Sequence, residues 1–435
     1  MVDIKRVVVL GANGTMGAGS AEVFAAGGCN VVLLARSAEK AREGLVGAQN
    51  MAKSITIGNL MSVGTYDADL NEAVSKADLI FEALAEDMEI KKDFFARVDK
   101  VRRPDSIVAT VSSGLSITGM AAGRSQSFRK NFLGIHLFNP PSVIVGTEVI
   151  PHAETDPKLV PAVVEMMERR FGRVITLCND LPAFAGNRVG FKVLNECAQL
   201  AAEHGVAFID YLIGPYTGRA MPPLSTVDLV GWDVHKAIVD NVHANIKDEA
   251  HAAFLLPTYV AELVEEGHLG NKTPERGGFY RRVKEDGKNV NLVLDPQSGG
   301  YKSPSDTKVA PLPFVERMRT LHNVGRYQEA FQVFLDAKGT EADLARKVVL
   351  GYVSYALNRV GDGEVVRTAS DVDKIMGFGF NWAPPTVLVD VMGLKQTIAA
   401  LEKAALPVPK VLASAKPGQR LFNVPGVNVG RFFAA

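Results

Sequence analysis

Cysteine is scarce: among 435 residues only Cys29, Cys178 and Cys197 occur, and no pair has CxxC spacing. That argues against a disulfide framework and a cysteine zinc site, and points to a reducing, hence cytoplasmic, compartment. Net charge is missing too. Lys plus Arg and Asp plus Glu are both 48, and the pI is about 7.1. The chain has no overall electrostatic footprint for nucleic acid or an anionic membrane surface, which leaves room only for a local basic patch toward a phosphorylated ligand. No run approaches the roughly 18 apolar residues that a membrane span needs. The apolar stretch of "MVDIKRVVVLG" is cut off by glycine and is too short for a signal-peptide core.

The chain is 47% hydrophobic and 22% charged, as globular proteins are, and its length suggests about three domains. Short β-branched runs at 5–10, 29–34, 77–83, 105–111, 131–138, 146–150 and 173–177 alternate with helical patterns, clearest at 88–102 and 157–172. Such alternation implies a mostly parallel sheet covered on both faces. From about residue 183 long helical periodicity takes over and strands nearly vanish. The Pro-, Gly- and Ser-rich stretch 295–313 reads as a linker, and a second helical block follows from about 341. The expected partition is 1–181, 182–294, a linker over 295–340, and 341–435. "PPLSTVDLVG" (222–231) returns as "PPTVLVDVMG" (384–393), an offset of 162, while Asn195/Asn358 and Asp210/Asp373 match at an offset of 163. Three landmarks in one order suggest a duplicated helical domain, too few copies for a solenoid.

"VVVLGANGTMG" places Gly11, Gly14 and Gly17 between a strand and a helix. Glycine suits the close approach of a pyrophosphate to backbone, and a helix N-terminus attracts its charge. A plain tight turn uses glycine too, but the strand–turn–helix setting favours a dinucleotide site. At the end of the second strand Ala35 and Arg36 stand where an NAD site usually has an acid. Arg36 is either a 2′-phosphate ligand or a solvated loop arginine, so NAD and NADP both stay open. The expected fold is an α/β Rossmann-like dinucleotide-binding domain followed by all-α C-terminal domains, the helical one duplicated.

In "GIHLFNPPSVIVGTEVI" (134–150) two apolar runs each carry one titratable group, His136 and Glu148. If the strands lie side by side, imidazole and carboxylate face each other; otherwise each is a satisfied polar residue at a strand edge.

Together these residues resemble the 3-hydroxyacyl-CoA dehydrogenase family, above all the dehydrogenase portion of fused fatty-acid β-oxidation enzymes, without their enoyl-CoA hydratase domain. The resemblance runs through "GANGTMG", "FEALAEDMEIKK", "VSSGLSIT", "GIHLFNPP", "EVI", "AFAGNRVG" and "GGFY", and covers nearly the whole chain. It implies a catalytic His136 with Glu148 as its partner, Ser113 touching substrate and nicotinamide, and Asn187 near the substrate carbonyl. Toward the cofactor it implies Gly11, Ala12, Gly14, Met16 and Gly17 in the glycine turn, with Ala85, Glu86, Lys91 and Asn139. It also implies an acyl-CoA substrate, NAD or NADP as cofactor, and a separate enoyl-CoA hydratase as partner. Departures are Gly11-Ala12 in place of a neater GxGxMG, the acid missing at position 35, a longer "NKTPERGGFY" loop, and about two extra residues before His136.

Two rivals stand. "GNRVGFKVLNE" partly matches the Lys-xx-Asn motif of β-hydroxyacid dehydrogenases, with Lys192 as acid/base group, although its position suggests the solvated face of a helix starting near Leu181-Pro182. The other is a non-catalytic binding protein on a dehydrogenase fold. His235, His243 and His251 recur every eight residues, off any common helix face, so no metal is expected. Trp232 and "GFGFNW" (377–382) read as core packing. The repeat lets the copy at 341–435 take the surface through which single-domain relatives dimerise, giving a monomer, with a homodimer as the alternative.

Overall fold

A computed structural model describes residues 3–285 and 287–433. The chain divides into two compact units, one of residues 1–185 with 362–367, the other of 186–361 with 368–435.

The first unit is an eight-stranded sheet in the order β3-β2-β1-β4-β5-β6-β7-β8. Its strands are β1 (Arg6–Leu10), β2 (Asn30–Ala35), β3 (Met61–Thr65), β4 (Leu79–Glu82), β5 (Ile107–Thr110), β6 (Phe132–Leu137), β7 (Gly146–Pro151) and β8 (Val174–Leu177). All neighbours run parallel except β6 and β7. Helices α1 (Thr15–Ala26), α2 (Ala38–Ala52), α3 (Leu70–Lys76), α4 (Met88–Val101), α5 (Ile117–Ala121), α6 (Gln126–Lys130) and α7 (Leu159–Arg169) connect them. Alternation along β1 and β2 puts Val7, Val9, Val31 and Leu33 into one core cluster with Phe24 of α1 and Met166 of α7. Small residues let α1 lie close to its neighbours: a Cβ on Gly19 would meet the Pro141 ring at 2.7 Å. Phe24 packs edge-on against Phe81 at 5.1 Å, and truncating so buried a ring costs roughly 3–5 kcal/mol.

The second unit is mainly helical. Its helices are α8 (Gly186–His204), α9 (Val206–Leu212), α10 (Pro223–Val230), α11 (Trp232–Asn245), α12 (Thr258–Glu265), α13 (Pro313–Asn323), α14 (Tyr327–Asp336), α15 (Thr340–Asn358), α16 (Ala369–Phe378), α17 (Pro385–Met392), α18 (Leu394–Lys403) and α19 (Lys410–Ala413). Here the structure departs from the expected linker. Within 295–340, α13 and α14 form because Val315, Met318 and Leu321, then Ala330, Phe331 and Phe334, bury one helical face each. Strands are present as well: β9 (Tyr280–Glu285) pairs antiparallel with β10 (Lys288–Leu294), which pairs with β11 (Tyr301–Lys302).

The two sequence echoes share local geometry. Helices α10 and α17 both start behind a proline N-cap and end at a glycine of positive φ, Gly231 (103°) and Gly393 (88°), from which α11 and α18 begin. Asp210 accepts from the N–H groups of Leu224 and Ser225, and Asp373 from that of Thr386. Asp228 accepts from the N–H groups of Phe279 and Tyr280, and Asp390 from those of Leu421 and Phe422. Among the described residues no helix is long and apolar enough to cross a membrane.

Candidate active site

Strand β6 is buried along its whole length, and the antiparallel register sets His136 directly opposite Glu148 on β7. Directly opposed side chains have Cβ atoms within about 5.5 Å, close enough for ring and carboxylate to meet. Glu148 Oε2 lies 2.6 Å from His136 Nδ1, with Glu148 fully buried and His136 4% exposed. Its other oxygen accepts from the Ala185 N–H at 2.9 Å and the Cys178 thiol at 3.5 Å. A carboxylate at Nδ1 keeps the hydrogen of a neutral ring on that nitrogen and leaves the Nε2 lone pair free for chemistry. Nε2 faces Ser113 Oγ at 3.2 Å. Phe138 and Phe184 flank the ring, with centroids at 4.7 and 5.9 Å.

Ser113 sits in the loop between β5 and α5. Glu86 Oε1 accepts from the Ser113 N–H at 2.8 Å and the Ser112 hydroxyl at 2.6 Å. Asp180, just past β8, accepts from the Ser116 hydroxyl, the Ile117 N–H, and both the N–H and hydroxyl of Thr118. Ala85 and Glu86 lie in the turn between β4 and α4, whose N-terminus Asp87 caps. Lys91 is fully buried, donating to Glu82 Oε1 at 2.8 Å and lying 3.3 Å from Glu86 Oε2. Neither Glu82 nor Asp180 figured among the expected site residues. The signal for Glu82 was a lone carboxylate within the apolar run "LIFEA".

The glycine turn joins β1 to α1. Gly11 has φ +83°, and a Cβ there would lie 2.2 Å from the Ala83 carbonyl oxygen. A Cβ on Gly17 would come equally close to the Gly11 carbonyl oxygen, whereas one on Gly14 would meet nothing nearer than 3.5 Å. Ala12 is buried and its N–H reaches the Leu34 carbonyl. Met16 packs against the sheet core. No side chain caps the N-terminus of α1, and its first turn carries no acid. A tight turn opening onto an uncapped helix N-terminus fits the pyrophosphate of a dinucleotide. Ala35 ends β2, and Arg36 beside it is exposed.

Asn139 follows β6, joined to Pro140 by a cis peptide bond. Buried Arg173 holds this loop from below, donating to the carbonyls of Pro141 and Ile144 and to the Thr147 hydroxyl. Burial presses its guanidinium down to about 10, opposed by Glu22.

Asn187 belongs to the second unit, in the first turn of α8, and is buried. Lys192 corrects an expectation. It is 5% exposed rather than solvated, and donates to Glu196 at 2.8 Å, because α8 starts at Gly186 and is buried around most of its first three turns. His243 on α11 and His251 beyond it share no helix face, and their rings stack at 4.3 Å because the chain turns back after α11. Among the described residues no cluster of His, Cys, Asp or Glu is arranged to hold a metal ion.

A family model described as the NAD binding domain of 3-hydroxyacyl-CoA dehydrogenase matches residues 6–181, and one described as its C-terminal domain matches 184–282. A probable 3-hydroxyacyl-CoA dehydrogenase of Bacillus subtilis is 30% identical over 82% of this chain, which spans 43% of that protein's length. The human mitochondrial hydroxyacyl-coenzyme A dehydrogenase is 33% identical over 64% of this chain and 91% of its own. The crystal structure of a 3-hydroxybutyryl-CoA dehydrogenase from Escherichia coli superposes with a TM-score of 0.67 over 92% of this chain and 94% of that one. At 23% identity, this likeness is one of fold.

Proposed function

The chain belongs to the 3-hydroxyacyl-CoA dehydrogenase family, and we propose that it interconverts (S)-3-hydroxyacyl-CoA and 3-oxoacyl-CoA with a nicotinamide cofactor. The observation that carries this reading is the buried His136–Glu148 pair, with Nε2 turned to Ser113. When bound, the nicotinamide supplies the acceptor or donor of hydride. In the oxidation, neutral His136 takes the hydroxyl proton on Nε2. Glu148 fixes the ring through Nδ1–H and stabilises the imidazolium that forms. In the reduction, the same Nε2–H returns its proton to the developing alkoxide. The Ser113 hydroxyl donates to the reacting oxygen, and the resemblance adds Asn187 as a second donor. The glycine turn would hold the pyrophosphate of the cofactor, with Ala85, Glu86, Lys91 and Asn139 on the cofactor side. With Arg36 in place of an acid, NADP is a candidate cofactor beside NAD.

Lys192 as the acid/base group is disfavoured by its pairing with Glu196. The two echoed helical segments make a duplicated helical domain and a monomeric enzyme part of the same reading, with a separate enoyl-CoA hydratase as a possible partner in the cell.

The test is the absorbance of NADH and NADPH with acetoacetyl-CoA, for wild type and His136→Gln. Oxidation reduced by about 10²–10⁴-fold in the variant is expected. Wild type inert with both nucleotides, or a variant as fast as wild type, overturns the reading.

A further inference from the structure

Glu82 and Lys91 are both completely buried, and neither touches Ser113 or His136. Burying an ion pair rarely gains stability over an apolar pair of the same size, so this one calls for another account. Glu82 lies where β4 passes the dinucleotide turn, next to Ala83, whose carbonyl abuts Gly11. Its Oε2 accepts from the Thr110 hydroxyl at 2.5 Å, and its Oε1 from the Leu84 N–H at 2.5 Å and from Lys91 Nζ at 2.8 Å. Lys91 in turn reaches Glu86, and Glu86 holds both Ser112 and the Ser113 N–H. The chain of contacts then ends at His136 Nε2, through the Ser113 hydroxyl. Asp180 fixes the far end of the loop at residues 116–118, and Glu86 fixes the end that carries Ser113.

We infer that Glu82 is a positioning residue: through Lys91 it sets the Glu86 carboxylate, and through Glu86 it places the Ser113 hydroxyl against His136 Nε2. This rests on the reaction proposed above for the same site. Deprived of Glu82, the Lys91 ammonium turns wholly to Glu86 and draws that carboxylate off the Ser112 hydroxyl and the Ser113 N–H. A misplacement of about 1 Å at such a point costs on the order of 10²-fold in rate.

The test compares Glu82→Gln, Ser113→Ala and the double variant. With NADH or NADPH and acetoacetyl-CoA, Glu82→Gln is expected to lower kcat by roughly 10–10²-fold, more than it changes KM. In the Ser113→Ala background the same substitution is expected to change kcat less than about twofold, because residues acting as one unit are not additive. A purely structural lesion would instead multiply with Ser113→Ala. The second measurement needs no turnover: the pH titration of the His136 imidazole, followed by NMR in protein without nucleotide. Glu82→Gln should move it toward the curve of Ser113→Ala, and the double variant no further. Wild-type kcat in Glu82→Gln, fully multiplicative losses, or an unmoved titration would overturn the inference. Should Glu82→Gln fail to fold, Glu82→Gln with Lys91→Met removes both buried charges and is subject to the same criteria. A wild type without turnover counts against the proposed reaction alone, and the titration then decides on Glu82.

Discussion

The two ring nitrogens of His136 meet different partners, and in the proposed reaction the difference makes each partner separately testable. Glu148→Gln keeps an acceptor at Nδ1 but removes the charge that stabilises the imidazolium. Its kcat is expected to fall on the order of 10²-fold or more with KM little changed, read by steady-state kinetics; an unchanged kcat would deny the carboxylate its role. Gly11→Ala acts differently. A Cβ 2.2 Å from the Ala83 carbonyl oxygen at φ +83° forces β4 away from the turn. Loss of NADH binding in a fluorescence titration is expected, together with a lower Tm, and retained affinity would refute the role of the turn. His136 and Glu148 were legible because each breaks an apolar run at matching depth in consecutive strands. Glu82 breaks a run in the same way, yet nothing in the sequence says which lysine meets it. The hydroxyls of Thr110 and Ser112 carry no signal before the fold brings them to Glu82 and Glu86.

At the scale of elements, most strands of the sheet could be read from β-branched runs, but β3 could not. Ser62 and Gly64 interrupt its pattern, and pairing with β2 makes it a strand. Helices α13 and α14 were hidden behind the Pro- and Gly-rich stretch before them. Strand β9 was hidden by "RRVKE", whose charges stand on a largely exposed hairpin. Helix α11 leads to a pH prediction. Burial pushes His235 down to about 3, while its Nε2–H donates to Asn195. The unfolded chain therefore binds a proton between about pH 6.5 and 3 that the folded one refuses, so stability drains away as pH falls through that window. Burial pushes Asp228 and Asp373 up to about 7 and works in the opposite sense, its contribution being lost as pH rises toward 7. Comparing urea midpoints of wild type and His235→Gln at pH 7 and 5 isolates the histidine. The variant should lose less stability on acidification, and parallel losses would show that His235 is not the group responsible.

For the whole molecule, the proposed duplication makes oligomeric state a measurable consequence of sequence. The echoed prolines, aspartates and glycines shape α10 and α17 alike. Light scattering should return a mass near 46.7 kDa. Twice that mass would mean that the second copy does not replace a partner subunit. The division into an α/β and a helical part was visible in the switch of periodicity near residue 183. The assignment of 362–367 to the first unit was not, because it depends on backbone pairing that composition does not report.

That short segment bridges Cys178 through Val366 and accepts the Asn179 N–H at the Val365 carbonyl. The α/β unit is thus not a contiguous stretch of polypeptide. During synthesis its last strand waits for residues that leave the ribosome only after α8 to α15 have been made. A gene fragment stopping at residue 185 would leave the end of β8 unsealed, next to the carboxylate that holds His136.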